Sequence, residues 1–344
     1  MSDDYFEGKR VLITGGAGSI GSEIAKALLK KKAKVVRILD IDEEGLFKLS
    51  HELLPDERVR FLVGDVREKE RVKRAMEDID IVFHAAALKH VPSCEYNPFE
   101  AVKTNVFGTQ NALEAAIDEE VEKFITISTD KAVNPINVMG ATKLLAERLT
   151  ISANYYKGPR KTKFSCVRFG NVLGSSGSVI EVFIEQLKKG KPLTITDPRM
   201  TRFVMTMRHA VECILKATQM AQGGEIFIFK MPTVELGELA AVIAEELSQK
   251  LGLEKIEMKI IGIRPGEKFH EELMTEEESV WAEETPEMFI IKPLVELSDG
   301  IVREYSFLNE EYFSSRKRRL VSKDATPRLT KEEIKKLLRE CIIL

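Results

Sequence analysis

The stretch "RVLITGGAGSIGSEIAKALL" (Arg10–Leu29) decides the fold. It opens on an apolar run of strand length, Arg10–Thr14. It closes on a helical pattern in which Ile20, Ile24, Ala27 and Leu28 share one face. Gly15, Gly18 and Gly21 stand between the two. Glycines at a strand-to-helix turn permit the tight turn, let backbone approach a pyrophosphate and let helix pack on strand. The helix start, with Ser19 and Ile20 in its first turn, presents amide donors and the positive end of a dipole. The spacing Gly-x-x-Gly-x-x-Gly is one residue longer than the simplest dinucleotide fingerprint, and its place between strand and helix gives it weight.

Working outward, Lys34–Leu39, Val59–Val63, Ile81–His84, Phe124–Ser128 and Phe164–Arg168 also read as strands. They are nearly continuous in Val, Ile and Phe, as strands covered on both faces are, and helical patterns lie between them. This alternation predicts an α/β protein with a Rossmann-like, doubly wound parallel sheet. After Gly170 the segments shorten and Gly and Pro punctuate them. "GGEIFIF" (Gly223–Phe229) reads as a strand returning to the main sheet, and Glu235–Leu251 as a helix. The expected division is therefore a dinucleotide-binding part over 1–170, rejoined by 206–230, and a smaller, discontinuous substrate-binding part over 171–205 and 231–344.

Asp40 ends the second strand, where a carboxylate binds the ribose hydroxyls of NAD and repels the 2′-phosphate of NADP. NAD is thus favoured as the NAD(P) cofactor; Arg37 lies inside the strand, poorly placed for a phosphate. Asp65, in "GDV" (Gly64–Val66), is placed for the adenine amine, with Val66 beside it. Ala85, Ala86 and Ala87 follow the fourth strand and let backbone pass close to the cofactor. His84 before them reads as a packed residue.

The 344 residues carry a net charge of −3, from 52 basic and 55 acidic side chains, and 44% are hydrophobic. Such a balance gives no electrostatic case for nucleic acid or an anionic membrane surface. No apolar run approaches a membrane span, and the acidic start Met1–Asp4 leads into no signal-like segment. Four scattered cysteines show neither metal-ligand spacing nor a disulfide framework, so no metal is expected and a reducing cytoplasm is. "SSRKRR" (Ser314–Arg319) reads as a solvated basic loop.

Several motifs converge: the glycine turn, "GDV", "HAAALKHVPSCEYNPFEAVKTN" (His84–Asn105), "STDK" (Ser128–Lys131), "RFGNVLGS" (Arg168–Ser175), "TITDPRMTRF" (Thr194–Phe203) and "IGIRPGEKFHEEL" (Ile261–Leu273). Together they resemble the extended short-chain dehydrogenase/reductases, and within these the UDP-N-acetylglucosamine 4,6-dehydratases, from about Gly8 to Pro293. The resemblance implies oxidation at sugar C4, loss of water across C5 and C6, and hydride return to C6. Dehydratases of dTDP-glucose carry Thr-Asp-Glu where this chain has Thr129-Asp130-Lys131. By resemblance Thr129 bonds the C4 oxygen, Asp130 protonates the C6 leaving group and Lys131 takes the C5 proton. Lys131 must then be neutral, and burial with the Lys143 charge is expected to lower its pKa. Asp130 must carry a proton, which an apolar pocket favours.

Lys143 stands one helical turn beyond Met139, since positions i and i+4 share a face. It is expected on the nicotinamide ribose. Relatives normally have a proton-transferring Tyr where this chain has Met139, and a thioether transfers no proton. Some of these dehydratases share the Met-x-x-x-Lys arrangement, so Met139 is expected to shape the pocket while Thr129 relays the C4 proton to water. Asn105 joins the cofactor set, and Lys89, His90, Asn171, Thr194, Arg202, Arg264 and Glu267 the substrate set. The implied partner is a nucleotide sugar, UDP-N-acetylglucosamine, and the assembly a homo-oligomer. A UDP-sugar 4-epimerase, which needs no acid or base at C5 and C6, and a catalytically inactive dinucleotide-binding sensor are the competing readings.

Overall fold

The computed structural model describes residues 4–251, 256–293, 295–298, 301–304, 319–324 and 327–341. Six parallel strands build the centre of one sheet: β1 (Arg10–Thr14), β2 (Val35–Asp40), β3 (Val59–Val63), β4 (Ile81–His84), β5 (Lys123–Ile127) and β6 (Lys163–Arg168). Each lies within a residue of its expected bounds. β4 and β5 are buried throughout, as strands packed on both faces must be. The chain runs from β1 outward to β3, then crosses back so that β4 lies on the other side of β1. That reversal opens a crevice at the C-terminal ends of β1 and β4, where open α/β sheets bind ligands.

Ile226–Phe229 returns to the sheet parallel to β6, as expected. Two further strands, Met288–Ile291 and Ala282–Glu284, continue the sheet antiparallel beyond it, so it has nine strands. Residues 282–291 had been expected in the smaller part. The apolar run "MFII" is buried throughout, and pairing with Ile226–Phe229 satisfies its backbone where a free edge would not. A second apolar cluster, with Phe183, Leu193, Val204, Leu239, Ile334 and Leu338, gathers residues from the 171–247 stretch and the final helix. Of the "SSRKRR" run only Arg319 is among the described residues; it pairs with Glu272 at 2.9 Å.

Two elements position the site. Helix Val138–Tyr156 is capped by Asn137, whose Oδ1 accepts the Gly140 amide at 2.7 Å. Its Nδ2 donates to the Gly266 carbonyl at 2.7 Å, which fixes the helix start against the "RPGEK" segment. Arg168, at the end of β6, is fully buried; its guanidinium meets Glu147 at 2.7 Å and Glu278 at 2.8 Å. A buried cation needs such pairing, and here it ties the sheet to the C-terminal segment.

Candidate active site

The crevice is a cavity of about 890 Å³. Its floor is the glycine turn. Gly15 has φ +66°, and a Cβ there would come within 2.5 Å of the Ala86 amide nitrogen, so glycine is what lets β1 and the segment after β4 approach. Gly15, Gly18, Ser19, Ile20 and Gly21 all line the cavity, as do Val66, Ala85, Ala86 and Ala87. Asp40 lines it too. Its carboxylate accepts the Ala17 amide at 2.9 Å and the Asp42 amide at 3.0 Å, which fixes it at the rim beside the turn. Arg37 turns away, onto the carbonyls of Ala75 and Glu77.

Two cofactor expectations change. Asp65 lines the cavity, but Arg67 already holds its carboxylate, Nε at 2.7 Å, and also reaches Glu100 at 2.7 Å. Burial pushes the Asp65 carboxyl up, yet the Arg67 bonds outweigh it and the net shift is down. Asp65 therefore presents a paired carboxylate, and Arg67, which the sequence reading missed, stands with it on the cavity wall. Asn105 does not line the cavity. A π-helical turn (Lys103–Phe107) directs its carboxamide onto Leu88, where Oδ1 accepts the amide at 2.8 Å and Nδ2 donates to the carbonyl at 3.0 Å. It holds the segment after β4 in place.

At the far end, Thr129 lies just beyond β5 and caps a single turn, Asp130–Ala132. Thr129 Oγ1 donates to Asp130 Oδ1 at 2.8 Å, and Lys131 Nζ reaches the same oxygen at 3.0 Å. Thr129, Lys131, Met139 and Lys143 line the cavity; Asp130 is fully buried just behind them. Met139 packs with Cys94 and Ala101, an apolar wall. Lys143 Nζ donates to the Ile127 carbonyl at 2.6 Å, and burial pulls its pKa down to about 8 although Glu147 opposes the shift. Buried His84, bonded to Thr14 at 2.8 Å and Thr109 at 3.1 Å, is a packed residue, its pKa lowered by burial and by Lys143 to about 3.

Lys131 departs from expectation. Burial pulls it down, but Asp130 and Glu271, 3.5 Å away, outweigh burial and hold its pKa above the ordinary value. Glu271 escaped the sequence reading because no local pattern links it to Lys131.

Lys89, His90 and Asn171 line the cavity. Lys89 Nζ donates to the Ser176 carbonyl at 2.7 Å, and Ser176 N donates to Ser19 Oγ at 2.9 Å, so the 174–178 loop folds over the glycine turn. Thr194, Arg202, Arg264 and Glu267 are not among the lining residues. Arg202 pairs with Glu267 at 3.1 Å, Glu267 also accepts the Arg264 amide at 3.4 Å, and Arg264 itself is exposed. Thr194 is taken by Gln186, 2.7 Å away. Three buried polar atoms on residues of the wall, Ser128 Oγ, Asn171 Oδ1 and Ser178 Oγ, have no partner among the described residues. Buried polar atoms are normally bonded, so these point to a polar ligand. With the glycine turn and Asp40, the donor set fits a dinucleotide.

Fold and cleft together define a dinucleotide-binding α/β protein with a titratable cluster at one end of the cleft. Residues 11–293 match a family described as polysaccharide biosynthesis protein, and the chain belongs to that family of extended short-chain dehydrogenase/reductases. It is 59% identical to an uncharacterized membrane protein of Methanocaldococcus jannaschii over 98% of this chain and 97% of that one. No helix among the described residues is long and apolar enough to cross a membrane. It is 44% identical to a UDP-N-acetylglucosamine 4,6-dehydratase (inverting) of Campylobacter jejuni over 86% of each chain. It is 39% identical to a UDP-glucose 4-epimerase of Rickettsia conorii over 97% of this chain and 96% of that one. The structure of Pen from Bacillus thuringiensis superposes with a TM-score of 0.89, at 44% identity and 98% coverage of both chains. That of a UDP-glucuronic acid 4-epimerase from Bacillus cereus with NAD gives 0.67, at 25% identity over 76% of this chain and 88% of that one.

Proposed function

We propose that this chain is a nucleotide-sugar 4,6-dehydratase that converts UDP-N-acetylglucosamine to a UDP-4-keto-6-deoxy-N-acetylhexosamine. The observation that carries this reading is the Thr129–Asp130–Lys131 cluster just beyond the end of β5, whose Thr129 and Lys131 line the cavity together with Lys143 and Met139. An epimerase moves hydride at C4 alone and needs no acid or base at C5 and C6. A nicotinamide dinucleotide held by the glycine turn, Asp40 and Lys143 supplies a hydride acceptor at C4 and a donor at C6. Thr129 accepts the C4 hydroxyl proton as its own proton passes to Asp130, the partner its hydroxyl already has at 2.8 Å. This route replaces the expected relay to water. Asp130 then holds the proton that the C6 oxygen takes on leaving, and Lys131 removes the C5 proton. Lys143 stabilises negative charge developing at the C4 oxygen. Lys89, His90 and Asn171 hold the sugar nucleotide. Arg202, Arg264 and Glu267 shape the segment that flanks it. The reading includes a cytoplasmic homo-oligomer.

The 4-epimerase reading is favoured by the UDP-glucose 4-epimerases of Rickettsia, 39–40% identical to this chain, and by the epimerase structure from Bacillus cereus. Incubating the purified protein with UDP-N-acetylglucosamine separates the two by mass: loss of water supports the dehydratase, isomerisation at constant mass the epimerase, and absence of any reaction the inactive sensor. Denaturing the same preparation is expected to release mainly NAD, because Asp40 at the rim repels a 2′-phosphate. Release of NADP alone would sink the Asp40 assignment while leaving the fold untouched.

A further inference from the structure

Reading Lys131 as the C5 base raises a problem that the structure states in its own terms: the amine is charged where a base must be neutral. Glu271 lies behind it. It is 2% exposed and is absent from the residues lining the cavity, whereas Lys131 lines it. Both of its backbone groups are fixed by Ser322, N to Oγ at 2.9 Å and O from the Ser322 amide at 2.8 Å. Its Oε1 stands 3.5 Å from Lys131 Nζ, and its Oε2 is buried with no hydrogen-bond partner among the described residues. The other charged groups facing the pair are engaged. Arg202 is on Glu267 at 3.1 Å, and Lys268 Nζ is on the Val133 carbonyl. Asp130 gives Oδ1 to Thr129 and Lys131, and its Oδ2 has no partner among the described residues. The adjacent Glu272 is on Arg319 and Asn134.

We propose that Glu271 is the proton acceptor that frees the Lys131 amine for work at C5, a positioning residue acting through Lys131. This rests on the dehydratase reading. The ammonium N–H bond breaks with its electron pair left on nitrogen, and an O–H bond forms on the Glu271 carboxylate. The free amine then takes the C5 proton, and the C5–H electrons form the C5–C6 double bond as the C6 hydroxyl departs with the Asp130 proton. No further reagent is required. Burial pushes the Glu271 carboxyl up, Lys131 opposes this, Asp130 adds to it, and the net direction is up, so the carboxylate is a ready acceptor. While the pair holds one proton between its two members, the fraction with a free amine does not depend on pH.

The test is the pH profile of kcat with UDP-N-acetylglucosamine. The wild type is expected to be flat through neutral pH. In Glu271→Gln the amine must lose its proton to solvent, so kcat should fall roughly 100-fold at neutral pH and climb about tenfold per pH unit, within the range general acid–base groups contribute. Glu271→Asp, which keeps a carboxylate, should be slower but flat. Infrared spectra of protein with ¹³C-labelled glutamate, recorded on mixing with substrate, give a second readout: a protonated Glu carboxyl band that appears as the C5 proton is taken and that Glu271→Gln removes. A Glu271→Gln profile that stays flat, whether at full rate or at one reduced rate throughout, overturns the inference. If that variant does not fold, a wild type whose labelled glutamate stays ionised throughout turnover overturns it instead. A wild type that neither loses water nor exchanges hydrogen at C5 overturns the dehydratase reading and this inference with it.

Discussion

Lys131→Ala should abolish loss of water from UDP-N-acetylglucosamine while leaving some oxidation at C4. Lys131 lines the cavity with its amine 3.0 Å from Asp130, and no other amine that lines the cavity lies on that cluster. Removing a general base typically costs about 10²- to 10⁴-fold, so elimination should fall at least that far. In the proposed mechanism hydride removal at C4 depends on Thr129 and Lys143, which the substitution leaves in place. Adding substrate should therefore raise the absorbance of reduced nicotinamide and hold it there, where the wild type shows no lasting rise. Hydrogen exchange between C5 and deuterated water should vanish in the same variant. Undiminished exchange would remove Lys131 from C5. The substitution also leaves Asp130 and Glu271 buried without their shared cation, so folding and cofactor content must be matched first.

The second large effect separates two neighbours on the cavity wall. Met139→Leu should retain most activity and Thr129→Val should lose most of it. Met139 is 3% exposed among Cys94, Ala101 and Val91, an apolar niche in which its thioether has no proton to give. Leu keeps the volume, and swaps of this kind cost less than about 1.5 kcal/mol. Thr129→Val keeps the shape but removes the hydroxyl that bonds Asp130 at 2.8 Å, and with it the proposed path for the C4 proton. Loss of one well-placed donor at a developing oxyanion costs about 10²- to 10³-fold, and a similar loss in kcat is expected here. Turnover of both variants, compared at equal cofactor occupancy, decides the point. A dead Met139→Leu beside a nearly normal Thr129→Val would assign the thioether a chemical part and close the Thr129–Asp130 route.

Much of this protein follows from its sequence because the signals are local. The strand–glycine–helix order of Arg10–Leu29 and the apolar runs of β1 to β6 are periodicities and spacings that the backbone obeys wherever they occur. Thr129, Asp130 and Lys131 reach the site together because they are consecutive. Met139 and Lys143 face the cavity together because a helix brings residues four apart onto one face. Partners are another matter, since a charged group finds its counter-ion through space. Only the folded chain spends Asp65 on Arg67, directs Asn105 onto Leu88, closes Arg202 onto Glu267 and returns residues 282–291 to the sheet. Only the folded chain, too, sets the charge of Lys131. Burial alone would have lowered its pKa, as the sequence suggested. Glu271, brought from a distant segment to 3.5 Å, joins Asp130 in reversing the sign, because attraction between opposite charges at that distance in a poorly solvated wall exceeds the cost of burying the amine.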